Sequence, residues 1–308
     1  MVRKVLQAQN IMRPLVMIAI VGNIINVITG YYLGYHTSMG FHGIALSRTL
    51  GNIVLPLLLL PYFACNPTHL TQWWSEGWNL REAADHVGLF LRLGVPGMLM
   101  LVMEWWAYEM LALMAGVLPD SVVAVSAQAV LMNVVSMLFM VFLGISVAGN
   151  IRVGNCLGAN QPRRARLVSR MVLSLVFFVS TIMALGVFFL HDWIPTLLVN
   201  DAVSIEQASH ALMVWAPFEI IEGLNCVTQG VYRGCGKQDL AAKTNAIAYY
   251  IVGIPIAAFL AFQLDFGIEG LWLGFGAGLS VSVVTLLYIL KRSCWQQLAR
   301  EARERTAQ

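Results

Sequence analysis

The stretch Phe90 to Glu109, FLRLGVPGMLMLVMEWWAYE, decides how the rest of the chain is read. It is apolar enough to sit in a bilayer, yet it carries Glu104 and Glu109 with an aromatic run between them. A charged side chain in hydrocarbon is costly, so an ionisable residue in such a segment is a functional candidate by default.

The composition around it agrees with a lipid environment. The 308 residues are 58% hydrophobic and 11% charged, with a mean hydropathy of +0.72. Soluble domains carry about 25% charged residues. A deficit spread over the whole length indicates an all-α integral membrane protein. The cysteines Cys65, Cys156, Cys226, Cys235 and Cys294 show no metal-ligand spacing, so they read as small apolar residues or reduced thiols. No nucleophile motif, zinc box or nucleotide fingerprint is present. The G-x-x-x-G at Gly154 to Gly158 has no strand before it and is not a phosphate loop. The chain is therefore read as neither an enzyme nor a nucleic-acid binder, with no cofactor and no metal.

Eight stretches are long enough to cross about 30 Å of hydrocarbon. They lie near 11–34, 41–64, 88–114, 121–147, 167–190, 208–232, 241–262 and 267–290. Basic residues alternate with them. Arg3, Lys4 and Arg13 open the first span, and Arg81 precedes the third. Arg152, Arg163, Arg164, Arg166 and Arg170 follow the fourth, Arg233, Lys237 and Lys243 the sixth, and Lys291, Arg292, Arg300, Arg303 and Arg305 the eighth. The alternate connections, near 35–40, 115–120, 191–207 and 263–266, carry no Lys or Arg. The positive-inside rule then places both termini in the cytoplasm. The polar segment 66–87, with Trp73, Trp74 and Trp78, reads as a cytoplasmic interfacial helix. Residues 156–166 read as a Gly/Pro-punctuated loop and 293–308 as a cytoplasmic tail. Gly230, Gly234 and Gly236 read as a tight helix end.

An internal repeat organises these spans. Gly40-Phe-His-Gly43-Ile-Ala-Leu46 resembles Gly267-Ile-Glu-Gly270-Leu-Trp-Leu273, 227 residues later, and Gly51 matches Gly278 at the same offset. Spans one and two thus look like a copy of spans seven and eight in the same orientation, as in transporters built from parallel repeats. The expected layout follows. Residues 1–65 hold the last two helices of a first lobe, 66–87 the linker, and 88–292 a complete six-helix second lobe. The first four helices of a 6+6 fold are expected upstream.

Four glutamates fall inside spans: Glu104, Glu109, Glu219 and Glu222. Counted from the outer span ends, Glu104 lies about 15 Å deep and Glu222 about 21 Å deep, at 1.5 Å per residue. Carboxyl groups facing one low-dielectric space titrate together, and such groups suit the exchange of protons for a cation. Glu219 and Glu222 share a helix face, and Pro217 just before them interrupts the helical ladder. Trp105, Trp106, Tyr108, Tyr249 and Tyr250 are candidates to line a site for planar or cationic molecules. Gln128, Asn133, Asn225 and Asn245 are polar residues within or near spans, suited to interhelical hydrogen bonds or a cavity wall.

Taken together, LRLGVPGMLMLVMEWWAYE (91–109), RVGNCLGA (152–159), QGVYRGCGKQ (229–238), YYIVGIP (249–255) and the Trp78-Asn-Leu lead-in resemble the multidrug and toxic compound extrusion (MATE) family, in its eukaryotic branch. The resemblance covers nearly the whole chain. It implies two six-helix lobes that rock between inward- and outward-open states, monomeric when full length. It implies antiport of organic cations or other xenobiotics and metabolites, driven by H⁺ or Na⁺, with H⁺ usual in eukaryotes, in the plasma membrane or a vacuolar or other endomembrane. The second-lobe acidic positions of the family carry onto Glu104, Glu109 and Glu222. A further acidic position of the animal branch falls on Asn133. Trp105, Tyr108, Gln128, Asn133, Glu219, Asn225 and Tyr249 are the expected cavity lining. An alternative expectation is a truncated, non-transporting membrane fragment that pairs with the full-length protein.

Overall fold

A computed structural model describes residues 6, 7, 9, 11–67 and 80–307. Among these residues the regular structure is entirely helical. The elements are α1 (Arg13–Tyr35), α2 (Phe41–Cys65), α3 (Leu80–Ala115), α4 (Ser121–Gly158), α5 (Pro162–Leu190) and the short α6 (Trp193–Thr196). Then come α7 (Ala202–Cys235), α8 (Gln238–Ala246), α9 (Ile254–Ala258), α10 (Gly267–Arg292) and α11 (Trp295–Ala307). The π-helical turn Ile247–Gly253 joins α8 to α9, and a second, Phe259–Gln263, ends the same composite span. Among the described residues, eight stretches are long and apolar enough to cross a membrane: α1, α2, Phe90–Ala115 of α3, α4, α5, α7, Gln238–Gln263 and α10. The all-α membrane fold expected from hydropathy is the observed one.

The boundaries depart from expectation in three places. Trp73, Trp74 and Trp78 lie outside the described residues, and Leu80 onward already belongs to α3. Eight of the eleven residues of the expected loop 156–166 are helical. α4 continues to Gly158 and α5 starts at Pro162, so only three residues connect them. Proline suits this start because the first helical amides have no intrahelical acceptor. The expected tail instead forms α11, with Leu298 and Ala299 buried.

The chain divides into two compact units, Met1–Val87 and Gly88–Gln308. In the first, α1 and α2 form an antiparallel hairpin closed by small residues. A Cβ on Gly30 would lie 3.0 Å from the Ser47 hydroxyl oxygen, and one on Gly51 2.9 Å from Asn26 Nδ2; Gly43 lies against the Leu33 carbonyl. Outward-facing Met17, Val27, Ile28 and Leu60 are exposed, as lipid-facing side chains are.

The second unit repeats that hairpin. Gly270 meets Leu260, Gly274 meets Ala257 and Gly278 meets Gly253. These are the pairs Gly43–Leu33, Ser47–Gly30 and Gly51–Asn26 shifted by the offset of the sequence repeat. Gly40 and Gly267 also correspond, and both hold positive φ (49° and 54°) at the entry to their helices. Three shared contact pairs make the repeat structural rather than a coincidence of glycines.

α7 is the central helix of this unit, packed most extensively on α4 and then on α5 and α10. The α4–α7 crossing is backbone against backbone. A Cβ on Gly230 would lie 2.6 Å from the Ser146 carbonyl oxygen, and one on Gly234 2.7 Å from that of Asn150. Ser146 Oγ donates to the Cys226 carbonyl at 2.7 Å beside it. The G-x-x-x-G that carries the packing is therefore Gly230 to Gly234, a small-residue motif that lets membrane helices approach closely. Of the three glycines read as a helix end, only Gly236 caps α7, with φ 68°. At the other end Asp201 caps α7, its Oδ2 accepting from the Ser204 amide (2.9 Å) and hydroxyl (2.8 Å). These donors hold its carboxyl below the ordinary aspartate value of 3.8.

Two outcomes follow. Gly230→Leu places a side chain against the α4 backbone, where overpacking costs roughly 1–3 kcal/mol or more, and it abolishes a monodisperse peak in size exclusion. Asp201→Ala frays the first turn of α7, read as faster amide exchange at Ser204. Because the folded-state value is lowered, the wild-type advantage is present above the ordinary aspartate value and disappears as pH falls through the lowered one.

Candidate functional site

α3 and α7 run antiparallel, and their facing polar residues meet inside the second unit. Glu104, Glu219 and Glu222 are buried, with exposures of 3%, 0% and 1%. Hydrocarbon offers no donors, so a carboxyl there depends on the protein for its hydrogen bonds. Glu104 Oε1 accepts from Asn225 Nδ2 and Oε2 from Gln229 Nε2, both at 3.4 Å. Tyr108 donates its hydroxyl to Glu222 Oε1 at 2.7 Å. Trp215 Nε1 donates to Glu219 Oε1 at 2.9 Å across the Pro217 interruption.

Periodicity explains the convergence. Glu222, Asn225 and Gln229 fall at i, i+3 and i+7 on α7, one helical stripe. Glu104 and Tyr108 are four apart on α3, so they present side by side to that stripe. The pairing also corrects the depth expected from counting to span ends. Tyr108, one turn past Glu104, reaches Glu222, whereas Glu104 reaches the later residues of α7. Glu222 therefore lies about one turn, ~5 Å, nearer the Ala115 end of α3 than Glu104.

The network continues away from α3. Asn225 Nδ2 also donates to the Tyr249 hydroxyl at 2.7 Å, and Ser282 Oγ lies 3.3 Å from Asn225 Oδ1 and 2.8 Å from Asn245 Oδ1. An aromatic wall closes one side: Trp215 meets Trp272 edge to face at 4.7 Å, and Tyr108 meets Phe275 at 4.7 Å. On the other side a small cleft of about 20 Å³ is lined by Glu104, Trp105, Tyr108, Met132, Val135, Ser136, Phe139 and Glu222. Glu222 Oε2 and Glu219 Oε2 are buried without a hydrogen-bond partner. The site thus combines carboxyl groups with spare acceptor capacity and an aromatic opening.

Of the residues expected from sequence, Glu104, Glu222, Glu219, Tyr108, Asn225 and Tyr249 come together here. Trp105 lines the cleft, 44% exposed and edge to face with Phe139 at 6.5 Å. Glu109 is exposed and outside the buried network, because it lies a helical turn and more past Glu104 on another face of α3. Asn133 is exposed, and its Nδ2 donates to the Ala129 carbonyl of its own helix at 2.8 Å. Gln128 is buried but behind the aromatic wall, accepting from Trp272 Nε1 at 2.8 Å. The sequence reading missed Gln229, Ser282 and Ser136. Gln229 was recoverable from the i, i+3, i+7 stripe; the two serines carry no sequence signal.

An all-helical unit of membrane-spanning helices with buried carboxyl groups beside a cleft is compatible with a membrane transporter, and comparison with known proteins gives the family. The MatE family model matches residues 96–259. Multidrug and toxin extrusion protein 1 of Mus musculus is 32% identical over 302 residues, covering 97% of this chain and 52% of that protein. Multidrug and toxin extrusion protein 2 of Homo sapiens is 35% identical over 297 residues, covering 96% of this chain and 48% of that protein. The crystal structure of the eukaryotic MATE transporter AtDTX14 superposes with TM-score 0.92 at 28% identity, covering 99% of this chain and 67% of that one. Vibrio cholerae VcmN, at TM-score 0.82 and 16% identity, shares the fold. The chain belongs to the MatE family of membrane transporters, in its eukaryotic type. It spans about half the length of the curated relatives it matches.

Tyr108→Phe tests the network directly. It removes the donor of Glu222, leaving both carboxyl oxygens unpartnered, and lowers stability by about 1–2 kcal/mol, read as a reduced thermal unfolding midpoint in detergent.

Proposed function

We propose that this chain carries the coupling site of an efflux antiporter that exchanges H⁺ for organic cations or related xenobiotics by alternating access. The observation that supports this reading is the placement of Glu104 and Glu222, buried in lipid-spanning helices, on the wall of one aromatic cleft. A protonated carboxyl is neutral and tolerated in that setting; a carboxylate there needs donors or a cation. Asn225, Gln229 and Tyr108 supply donors. A cationic substrate entering beside Trp105 and Phe139 gains ring-face attraction and offsets the charge left when a proton departs. Proton and cation then exclude each other, which couples their movements in opposite directions. The relatives bear the name multidrug and toxin extrusion, which agrees with this assignment.

In the same reading α1 and α2 are the closing helices of the first lobe and the second unit is the second lobe. Both termini are cytoplasmic, following the basic connections, in the plasma membrane or an endomembrane, and the whole transporter works as a monomer. Glu219, buried behind Trp215, tunes the pair from within the lobe rather than meeting substrate.

Glu104→Gln abolishes pH-gradient-driven uptake of a fluorescent organic cation into proteoliposomes with membrane abundance unchanged. Uptake retained at the wild-type rate refutes the assignment.

A further inference from the structure

The aromatic pair Tyr249 and Tyr250 does something its sequence reading as cavity lining does not describe. Both lie in the π-helical turn Ile247–Gly253. In an α-helix, consecutive side chains diverge by about 100°, since a turn takes 3.6 residues. A π turn closes i to i+5 bonds, accommodates an extra residue and concentrates at functional sites. Here the two tyrosine hydroxyls reach two groups next to Glu104: the Asn225 amide that donates to it and the backbone carbonyl of the residue before it. Tyr249, fully buried, bonds Asn225 Nδ2 at 2.7 Å, and that amide also bonds Glu104. Tyr250 donates to the Met103 carbonyl at 2.9 Å, one residue before Glu104. In an α-helix that carbonyl already accepts from the amide four residues on, which adjoins Tyr108. The Tyr250 hydroxyl thus holds the one turn of α3 that presents both Glu104 and Tyr108.

The internal repeat shows that hairpin packing does not require this turn. The positions equivalent to Tyr249 and Tyr250 in the first hairpin are Gly22 and Asn23, in the regular helix α1. The glycine seam forms there without a π turn. The π turn is an addition confined to the copy that carries the carboxyl site.

We propose that Tyr250 is a positioning residue for Glu104, acting through the Met103 carbonyl, and that the π turn exists to bring Tyr249 and Tyr250 onto that site together. The inference rests on the proton-exchange reading of Glu104. The titratable and charged groups facing Glu104 are Tyr108 on its own helix, Glu222, Cys226 and Arg233 from α7, and Tyr249 from the π turn.

The test is adduct formation by dicyclohexylcarbodiimide, which reacts with protonated carboxyls in apolar surroundings, on the full purified chain. Mass spectrometry follows the adducts at Glu104 and Glu222 across the neutral pH range. In wild type the Glu104 adduct varies with pH. In Tyr250→Phe, which removes one hydroxyl, the Glu104 profile moves by about half a pH unit, roughly threefold in protonated fraction, while the Glu222 profile stays. Hydrogen exchange over residues 104–108 rises in the same variant, and this second readout serves if labelling yields are low. An unchanged Glu104 profile with unchanged exchange overturns the positioning role but leaves the proton-exchange reading standing. Equal movement of both profiles marks general loosening and also overturns it. A wild-type Glu104 adduct independent of pH refutes the proton-exchange reading itself, and the positioning role with it.

Discussion

Three carboxyl side chains buried within lipid-spanning helices set the terms for the rest of the second unit. Neither lipid nor an apolar helix face can solvate Glu104, Glu219 or Glu222, so each must find donors within the protein, Glu104 and Glu222 on the facing span and Glu219 on its own helix. Asn225 and Gln229 supply them to Glu104, Tyr108 to Glu222 and Trp215 to Glu219. The bonds to Glu104 and Glu222 require α3 and α7 to face one another in one antiparallel register, because a shift of one residue turns a side chain by about 100°. The network therefore specifies helix orientation as much as it stabilises the fold.

Close helix approach makes such short bonds reachable. In lipid no hydrophobic effect drives helices together, and packing of small residues takes its place. Gly230 and Gly234 seat α7 on the α4 backbone, while Gly270, Gly274 and Gly278 seat α10 on the composite seventh span. Ser282 on α10 then comes within reach of Asn225 and Asn245. The same seam in the α1–α2 hairpin carries Asn26 and Ser47 where the second copy has Gly253 and Gly274. Duplicated packing thus supports unlike chemistry in the two copies.

The aromatic residues separate into two groups. Trp215, Trp272 and Phe275 form a rigid interior wall, and Gln128 is spent on satisfying the Trp272 indole. Trp105 and Phe139 border the cleft instead, where one side of Trp105 stays open. Tyr108 belongs to both groups, edge to face with Phe275 and bonded to Glu222. That double role ties the packing of α10 to a carboxyl oxygen, so movement of either element is felt by the other.

The linear chain by itself determined the eight spans, the repeat and the presence of carboxyls inside helices, because hydropathy, spacing and composition are properties of each segment alone. It also put Glu104 and Glu222 on spans of opposite direction, but the depths counted from span ends did not give the pairing: Tyr108 meets Glu222, and Glu104 meets Asn225 and Gln229. Only the tertiary structure decided which polar residues meet. Glu109 and Asn133 carry the same sequence signal as Glu104 and Asn225, yet they face outward. Gln229 and Ser282 carry less, yet they complete the network. The facing of a side chain depends on helix rotation and register, which are set by glycine contacts and cross-helix bonds between residues far apart in sequence. The π turn at Tyr249 and Tyr250 is the clearest case: hydropathy reads that span as ordinary helix, and packing against α3, α7 and α10 makes it something else.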